Sequence, residues 1–111
     1  MHEMSLAEGI LQIIEEQVSA TDKVTSVTLS IGELAGVEIE SLTFCFDVVT
    51  RDSVADKAEL IIERVPGSAF CYDCLAQVPH HDRSNACERC NGHKLTVVEG
   101  DQMKVKYLEI A

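Results

Sequence analysis

The sequence predicts an α+β fold: a small mixed sheet-and-helix domain of two helices and about three strands, interrupted by a four-cysteine segment. Three observations lead there. Apolar residues recur at helical spacing in two stretches, they alternate at strand spacing in others, and Cys71-x2-Cys74-x12-Cys87-x2-Cys90 stands between strands. The order helix, strand, helix, strand, cysteine segment, strand, strand assigns residues 1–65 plus 95–111 to one domain. Residues 66–94 form a second, inserted domain.

Each element has its own signal. Ser5-Leu6-Ala7-Glu8 has the S-x-x-E form of a capping box, which predicts a first helix from Ser5 to about Gln17 or Val18. Ala7, Ile10, Leu11, Ile14 and Val18 recur every three or four residues and supply its buried stripe. Residues 1–4 then stand ahead of the helix, with their amides outside its hydrogen-bond ladder. Residues 24–31 alternate, with Val27, Leu29 and Ile31 on one face and Ser26, Thr28 and Ser30 on the other, as in a half-buried strand ended by Gly32. Helical spacing returns over residues 38–50, where Ile39, Leu42, Cys45, Phe46 and Val49 share a stripe. Residues 58–65 read as an isoleucine-rich strand closed by Pro66-Gly67, which also marks the boundary with the cysteine segment. Asn91-Gly92 is a turn, and residues 95–98 and 102–110 are strands joined around Gly100-Asp101.

Charge narrows the function. The 111 residues carry a net charge of −10. Residues 1–65 hold 13 acids against 4 bases, whereas residues 66–94 hold 3 of each. A nucleic-acid ribbon needs a basic stripe to neutralise phosphate, and none is present. No apolar run approaches the roughly 18 residues of a membrane span. Met1-His2-Glu3-Met4 lacks the basic and apolar stretches of an export signal, so a cytoplasmic protein with reduced thiols is expected.

The cysteine spacing points to one closed metal site. Two residues between the cysteines of a pair let both thiolates reach the same ion, and four thiolates suit tetrahedral Zn²⁺ with no position left open. Iron in the same cage is the rarer alternative, and a redox pair would need a strand–helix setting that is missing here. The fifth cysteine, Cys45, lies on an apolar stripe and reads as a small core residue rather than a reactive thiol. His80 and His81 fall between the two cysteine pairs and His93 follows Cys90; each is a candidate to replace a thiolate, although solvent-facing loop histidines are commoner. No catalytic constellation stands out, so the chain reads as a non-enzyme.

Met1-His2-Glu3 carries a different chemistry. Histidine at position 2 is too bulky for routine removal of the initiator methionine, which leaves a free amine on Met1. That amine, the His2 amide and the His2 imidazole can close successive chelate rings on one ion, with the Glu3 amide as a fourth nitrogen. Ligation by a deprotonated amide is strongly rewarded by square-planar Ni²⁺ or Cu²⁺ and hardly by Zn²⁺.

Together, Met1-His2-Glu3-Met4-Ser5, Ile31-Gly32-Glu33-Leu34, residues 42–49, the cysteine pairs and the closing strand resemble the HypA/HybF family of hydrogenase nickel-incorporation proteins. The resemblance runs the length of the chain. One departure is Cys87-Glu88-Arg89-Cys90, where a proline commonly follows the first cysteine. The resemblance implies a nickel metallochaperone. Nickel ligands then fall on Met1, His2 and Glu3, and structural zinc on Cys71, Cys74, Cys87 and Cys90. It also implies delivery of Ni²⁺ to the large subunit of [NiFe]-hydrogenase together with a HypB-type GTPase. Some family members also serve urease, and in certain relatives an acid at the start of the second helix assists, for which Glu38 or Glu40 is the candidate. Neither nucleic acid nor membrane is expected as a partner; free sheet edges in so small a domain leave homodimers open. The competing reading is a zinc-ribbon module that binds protein or nucleic acid without transferring nickel.

Overall fold

The computed structural model describes residues 2–111; Met1 lies outside the described residues. Along the chain come α1 (Glu3–Gln17), β1 (Val24–Gly32), α2 (Ile39–Val49), β2 (Glu59–Val65), β3 (Ser68–Cys71), β4 (Ala76–Pro79), β5 (Leu95–Glu99) and β6 (Met103–Ile110). They form two helices and two three-stranded sheets, ordered β2-β1-β6 and β4-β3-β5. The expected α+β class is therefore observed. No helix among the described residues is long and apolar enough to cross a membrane.

The chain divides into two compact units. The first comprises residues 2–29, Val37–Ile62 and Val105–Ala111. Here α1 packs on α2. Ala7, Ile10 and Ile14 of α1 are fully buried, as are Leu42 and Phe46 of α2 and Val24, Val27 and Leu29 of β1. Spacing of three and four brings the helical residues onto one face, and burial of that face is what stabilises helices this short. Ser26 and Thr28 are buried too. β1 is the middle strand of its sheet, with β2 and β6 paired along its two edges, and Glu109 of β6 accepts a hydrogen bond from Ser26 Oγ at 2.9 Å.

The first helix starts earlier than its capping box indicates. It begins at Glu3, with His2 in an extended conformation at the N-cap and no side-chain cap. Ser5 and Glu8 thus lie inside the helix. The reason is a longer-range contact: Glu3 Oε2 accepts the amide of Glu38 at 3.3 Å, tying the start of α1 to the start of α2. Glu38 caps α2 through its own carboxylate, which accepts the Glu40 amide at 3.2 Å. At the other end Thr50 Oγ1 donates to the Phe46 carbonyl at 2.7 Å.

The second unit comprises Ser30–Gly36 and Glu63–Lys104. Its sheet is antiparallel around β3, with Phe70 opposite Gln77 of β4 and opposite Thr96 of β5. Strands β3 and β4 are four residues each. Ala69, Cys71 and Val78 are buried on one side of this sheet. Cys71, Val78 and Cys87 form a small cluster, packed against by Cys74, Ala76 and Leu95. So slight a core is typical of modules whose stability comes from a metal.

Candidate metal centre

The four predicted cysteines converge. Cys71 ends β3, Cys74 lies in the turn before β4, and Cys87 and Cys90 belong to the loop before β5. Their sulfurs all lie within 4.8 Å of one another. Cys71 Sγ is 3.6 Å from Cys90 Sγ, and Cys74 Sγ is 3.9 Å from Cys87 Sγ. A disulfide would require about 2.05 Å. By contrast, four sulfurs each about 2.3 Å from a tetrahedral ion stand about 3.8 Å apart. The cluster therefore has the dimensions of a four-thiolate metal site.

Electrostatics agree with the geometry. The Cys74 thiol is pushed up to about 12, chiefly by burial and then by hydrogen bonding with the neighbouring thiols. The Cys87 thiol is drawn down to about 7, chiefly by the amide of Cys90, with the amide of Arg89 helping. Four crowded thiols ionise together only when a cation shares their charge. Backbone amides aimed at one sulfur prepare the site for that state.

The backbone repeats itself at both pairs. Leu75 and Asn91, each following the second cysteine of a pair, have φ of 55° and 64°. Asparagine tolerates this left-handed conformation, whereas leucine suffers from its Cβ. Gly92 completes the second turn; a Cβ there would run into the Asp73 carboxylate of the first. Leu75→Gly is expected to stabilise the unit. Relief of about 1–2 kcal/mol of backbone strain exceeds the roughly 0.5–1 kcal/mol that glycine adds to the entropy of unfolding. A thermal melt should show a higher midpoint with metal content unchanged; a lower midpoint would mean that the leucine side chain holds the fold.

The histidines are distributed differently from the expectation. His80 is buried, at 3% exposure, and its amide pairs with the Gly67 carbonyl at 3.0 Å beside β3. His81 and His93 are exposed. Among the described residues the only metal-type cluster of three or more histidine, cysteine or acidic side chains is the four-cysteine group. His81 has another partner, which the sequence reading did not identify. Its Nδ1 lies 2.8 Å from Glu33 Oε1, and the same oxygen accepts the Gly67 amide at 2.9 Å. The Gly67 amide first, and His81 second, hold the Glu33 carboxyl below its usual range, with a smaller contribution from Arg64. The hydrogen bond to Glu33 raises the His81 imidazole, and Glu88 adds to the effect.

The sign of the resulting pH dependence follows from linkage. The raised histidine contributes stability fully below its ordinary value of 6.5 and loses it as pH rises through its raised one. The lowered carboxyl contributes above its ordinary 4.5 and loses it as pH falls through its lowered one. Glu33→Gln is therefore expected to destabilise most between about pH 4.5 and 6.5 and progressively less at alkaline pH. Proton NMR should show the His81 titration moving down toward its ordinary midpoint; an unmoved midpoint would mean the contact is absent in solution.

At the other end of the chain, His2 is exposed and Glu3 half-buried. Leu6 donates to the His2 carbonyl at 3.1 Å, the first helical hydrogen bond among the described residues. The amides of His2 and Glu3 precede it, so an early helix start still leaves both outside the ladder. Cys45 is half-buried on α2.

Comparison with known proteins settles the family. Residues 1–110 match the model described as "Hydrogenase/urease nickel incorporation, metallochaperone, hypA". The chain belongs to the HypA family. The hydrogenase maturation factor HypA of Azotobacter vinelandii is 50% identical over 112 residues, covering 99% of each chain. That of Albidiferax ferrireducens is 51% identical with the same coverage. The solution structure of the Ni metallochaperone HypA from Helicobacter pylori matches with a TM-score of 0.70 at 24% identity, over 99% of this chain and 97% of that one. That last likeness concerns the fold. With these HypA-family matches the chain joins a family of nickel-incorporation metallochaperones for hydrogenase maturation.

Proposed function

We propose that this chain carries Ni²⁺ at its N-terminus and delivers it to the large subunit of [NiFe]-hydrogenase, acting with a HypB-type GTPase in the cytoplasm. Nickel is held by the Met1 amine, by the amide and imidazole of His2, and by Glu3. Zinc is held by Cys71, Cys74, Cys87 and Cys90 as a structural ion. The helix-bearing domain of residues 1–65 plus 95–111 is the nickel domain in this reading, and residues 66–94 are the zinc ribbon.

The observation that carries the nickel assignment is the position of His2: exposed, at the N-cap of α1, with its amide and that of Glu3 ahead of the ladder. A metal that displaces an amide proton breaks no helical hydrogen bond there. Ligands at a chain end also release an ion one at a time, whereas four buried thiolates close around theirs, and that difference suits cargo and scaffold respectively. The Glu3 carboxylate accepts the Glu38 amide, so Glu38 positions one of the residues assigned to the cargo site.

Transfer is testable directly. Radiolabelled nickel loaded on the chain should move to the apo large subunit in the presence of the GTPase and GTP, and should fail to move from His2→Ala. Equal transfer by free nickel salt under the same conditions would contradict the delivery role.

A further inference from the structure

The face of the β4-β3-β5 sheet that carries the cysteine cluster extends beyond it. Ala69 of β3 lies opposite Val78 of β4 and opposite Val97 of β5, two residues along from the row of Cys71, Ala76 and Leu95. Alternation continues this face to His80, just past β4. A cleft of about 400 Å³ opens here, lined by His80, Arg83 and His93, by Leu95 and Val97 of β5, and by Asp101 beyond it.

Backbone contacts set the walls of this cleft. The Asp82 carboxylate accepts the amide of Ser84 at 2.8 Å and its hydroxyl at 2.6 Å. The Asn85 amide donates to the Asp82 carbonyl at 3.0 Å, which completes the turn that bears Arg83. Leu34 joins the two sides. Its carbonyl accepts Arg83 Nη2 at 3.2 Å, and its amide donates to the carbonyl of Gly100, next to Asp101, at 2.7 Å.

Three polar side chains in the cleft have capacity to spare. His80 is buried, yet among the described residues no hydrogen bond reaches its imidazole, and neither ring nitrogen is sealed from solvent. Among the same residues the Asp101 carboxylate has no hydrogen bond or ion pair, and Arg83 bonds only to Leu34. A cation and an anion thus line one cleft without pairing with each other. His80, His93 and Asp101 do not converge as metal ligands do. A phosphate dianion would face Asp101 on a chain of net charge −10, and repulsion disfavours it. A ligand with both charges satisfies both side chains. The guanidinium fork matches a carboxylate, and the Asp101 carboxylate accepts an ammonium. Leu95 and Val97 add half-buried apolar surface.

We propose that this cleft binds a free α-amino acid with an aliphatic side chain. Its carboxylate lies on Arg83, its ammonium on Asp101, and its side chain against Leu95 and Val97, with the His80 imidazole as a further hydrogen-bonding group. Small-molecule sites commonly enclose about 300–1,000 Å³, so the cleft has room for it. The site is independent of the nickel assignment and is present in zinc-loaded protein without nickel.

Titration of that nickel-free protein with L-leucine, followed by amide NMR shifts, tests the proposal, with zinc counted before and after. Saturable shifts are expected over residues 80–85 and 93–101. Arg83→Met and Asp101→Asn, both at exposed positions, should each weaken leucine about tenfold or more, the usual worth of a hydrogen bond to a charged group, with zinc unchanged. 4-Methylpentanoate, which is leucine without its amine, should bind the native chain more weakly by a similar factor, and Asp101→Asn should not weaken it further. A merely structural role for Asp101 would weaken both ligands alike. N-Acetyl-leucine, which mimics the carboxyl end of another chain, should also bind weakly. Absence of saturable leucine shifts overturns the proposal, as does leucine binding that neither variant weakens. So does N-acetyl-leucine binding as tight as that of leucine, which would give the cleft to a polypeptide terminus.

Discussion

Replacing His2 with alanine is expected to abolish specific nickel binding while one zinc per chain remains. The imidazole closes one of the chelate rings in the proposed site, and its loss removes a ligand that no neighbouring side chain replaces. Affinity should fall on the order of a hundredfold or more, equivalent to about 2.7 kcal/mol. The fold should be indifferent, because His2 is exposed and caps α1 with its backbone alone. Isothermal titration of nickel, with circular dichroism as the control, separates the two effects. Acid should have the same direction of effect as the substitution, since imidazole and amide nitrogen bind metal only when deprotonated. Native nickel affinity in His2→Ala would remove the N-terminal site from the account.

The second large effect concerns the cysteines. Cys71→Ser, or removal of the ion by a strong chelator, is expected to unfold the second unit. Apparent binding energies of about 10–16 kcal/mol far exceed what the cluster of Cys71, Val78 and Cys87 offers. Amide protection from exchange should vanish over β3, β4 and β5 while α1 and α2 keep theirs, since the buried positions Ala7, Ile10, Ile14, Leu42 and Phe46 lie in the other unit. Cys45→Ser is the control, a half-buried cysteine outside the cluster. Protection that persists in Cys71→Ser would show that the strands hold themselves.

Local signals were readable in the sequence, and distant ones were not. The cysteine cluster was legible because two intervening residues set the geometry of each pair almost unaided. Strand β1 and helix α2 were legible because each repeats its period over two or more turns or pleats. Strands β3 and β4, at four residues, are too short for alternation to show. The start of α1 was displaced because a carboxylate at Glu3 finds its donor 35 residues away, at Glu38, and this outweighs a local capping box. Burial of His80 has the same character. Its amide pairs with Gly67, 13 residues away, and no pattern around position 80 encodes that neighbour. Likewise, the alternation of Leu95–Glu99 announces a strand without saying that its neighbour is β3.

In this proposal two metals occupy opposite ends of the sequence, nickel on Met1, His2 and Glu3 and zinc on the four cysteines. The most direct test counts both metals in native chain and in chain with two glycines placed before Met1, after equilibration with equal nickel. The extension puts the histidine at position 4, too far along for the amine, the intervening amides and the imidazole to fill one square plane. The native chain should hold one zinc and one nickel; the extended chain should keep its zinc and lose its nickel, because the amine is then displaced from the first chelate ring. Equal nickel in both would contradict the claim.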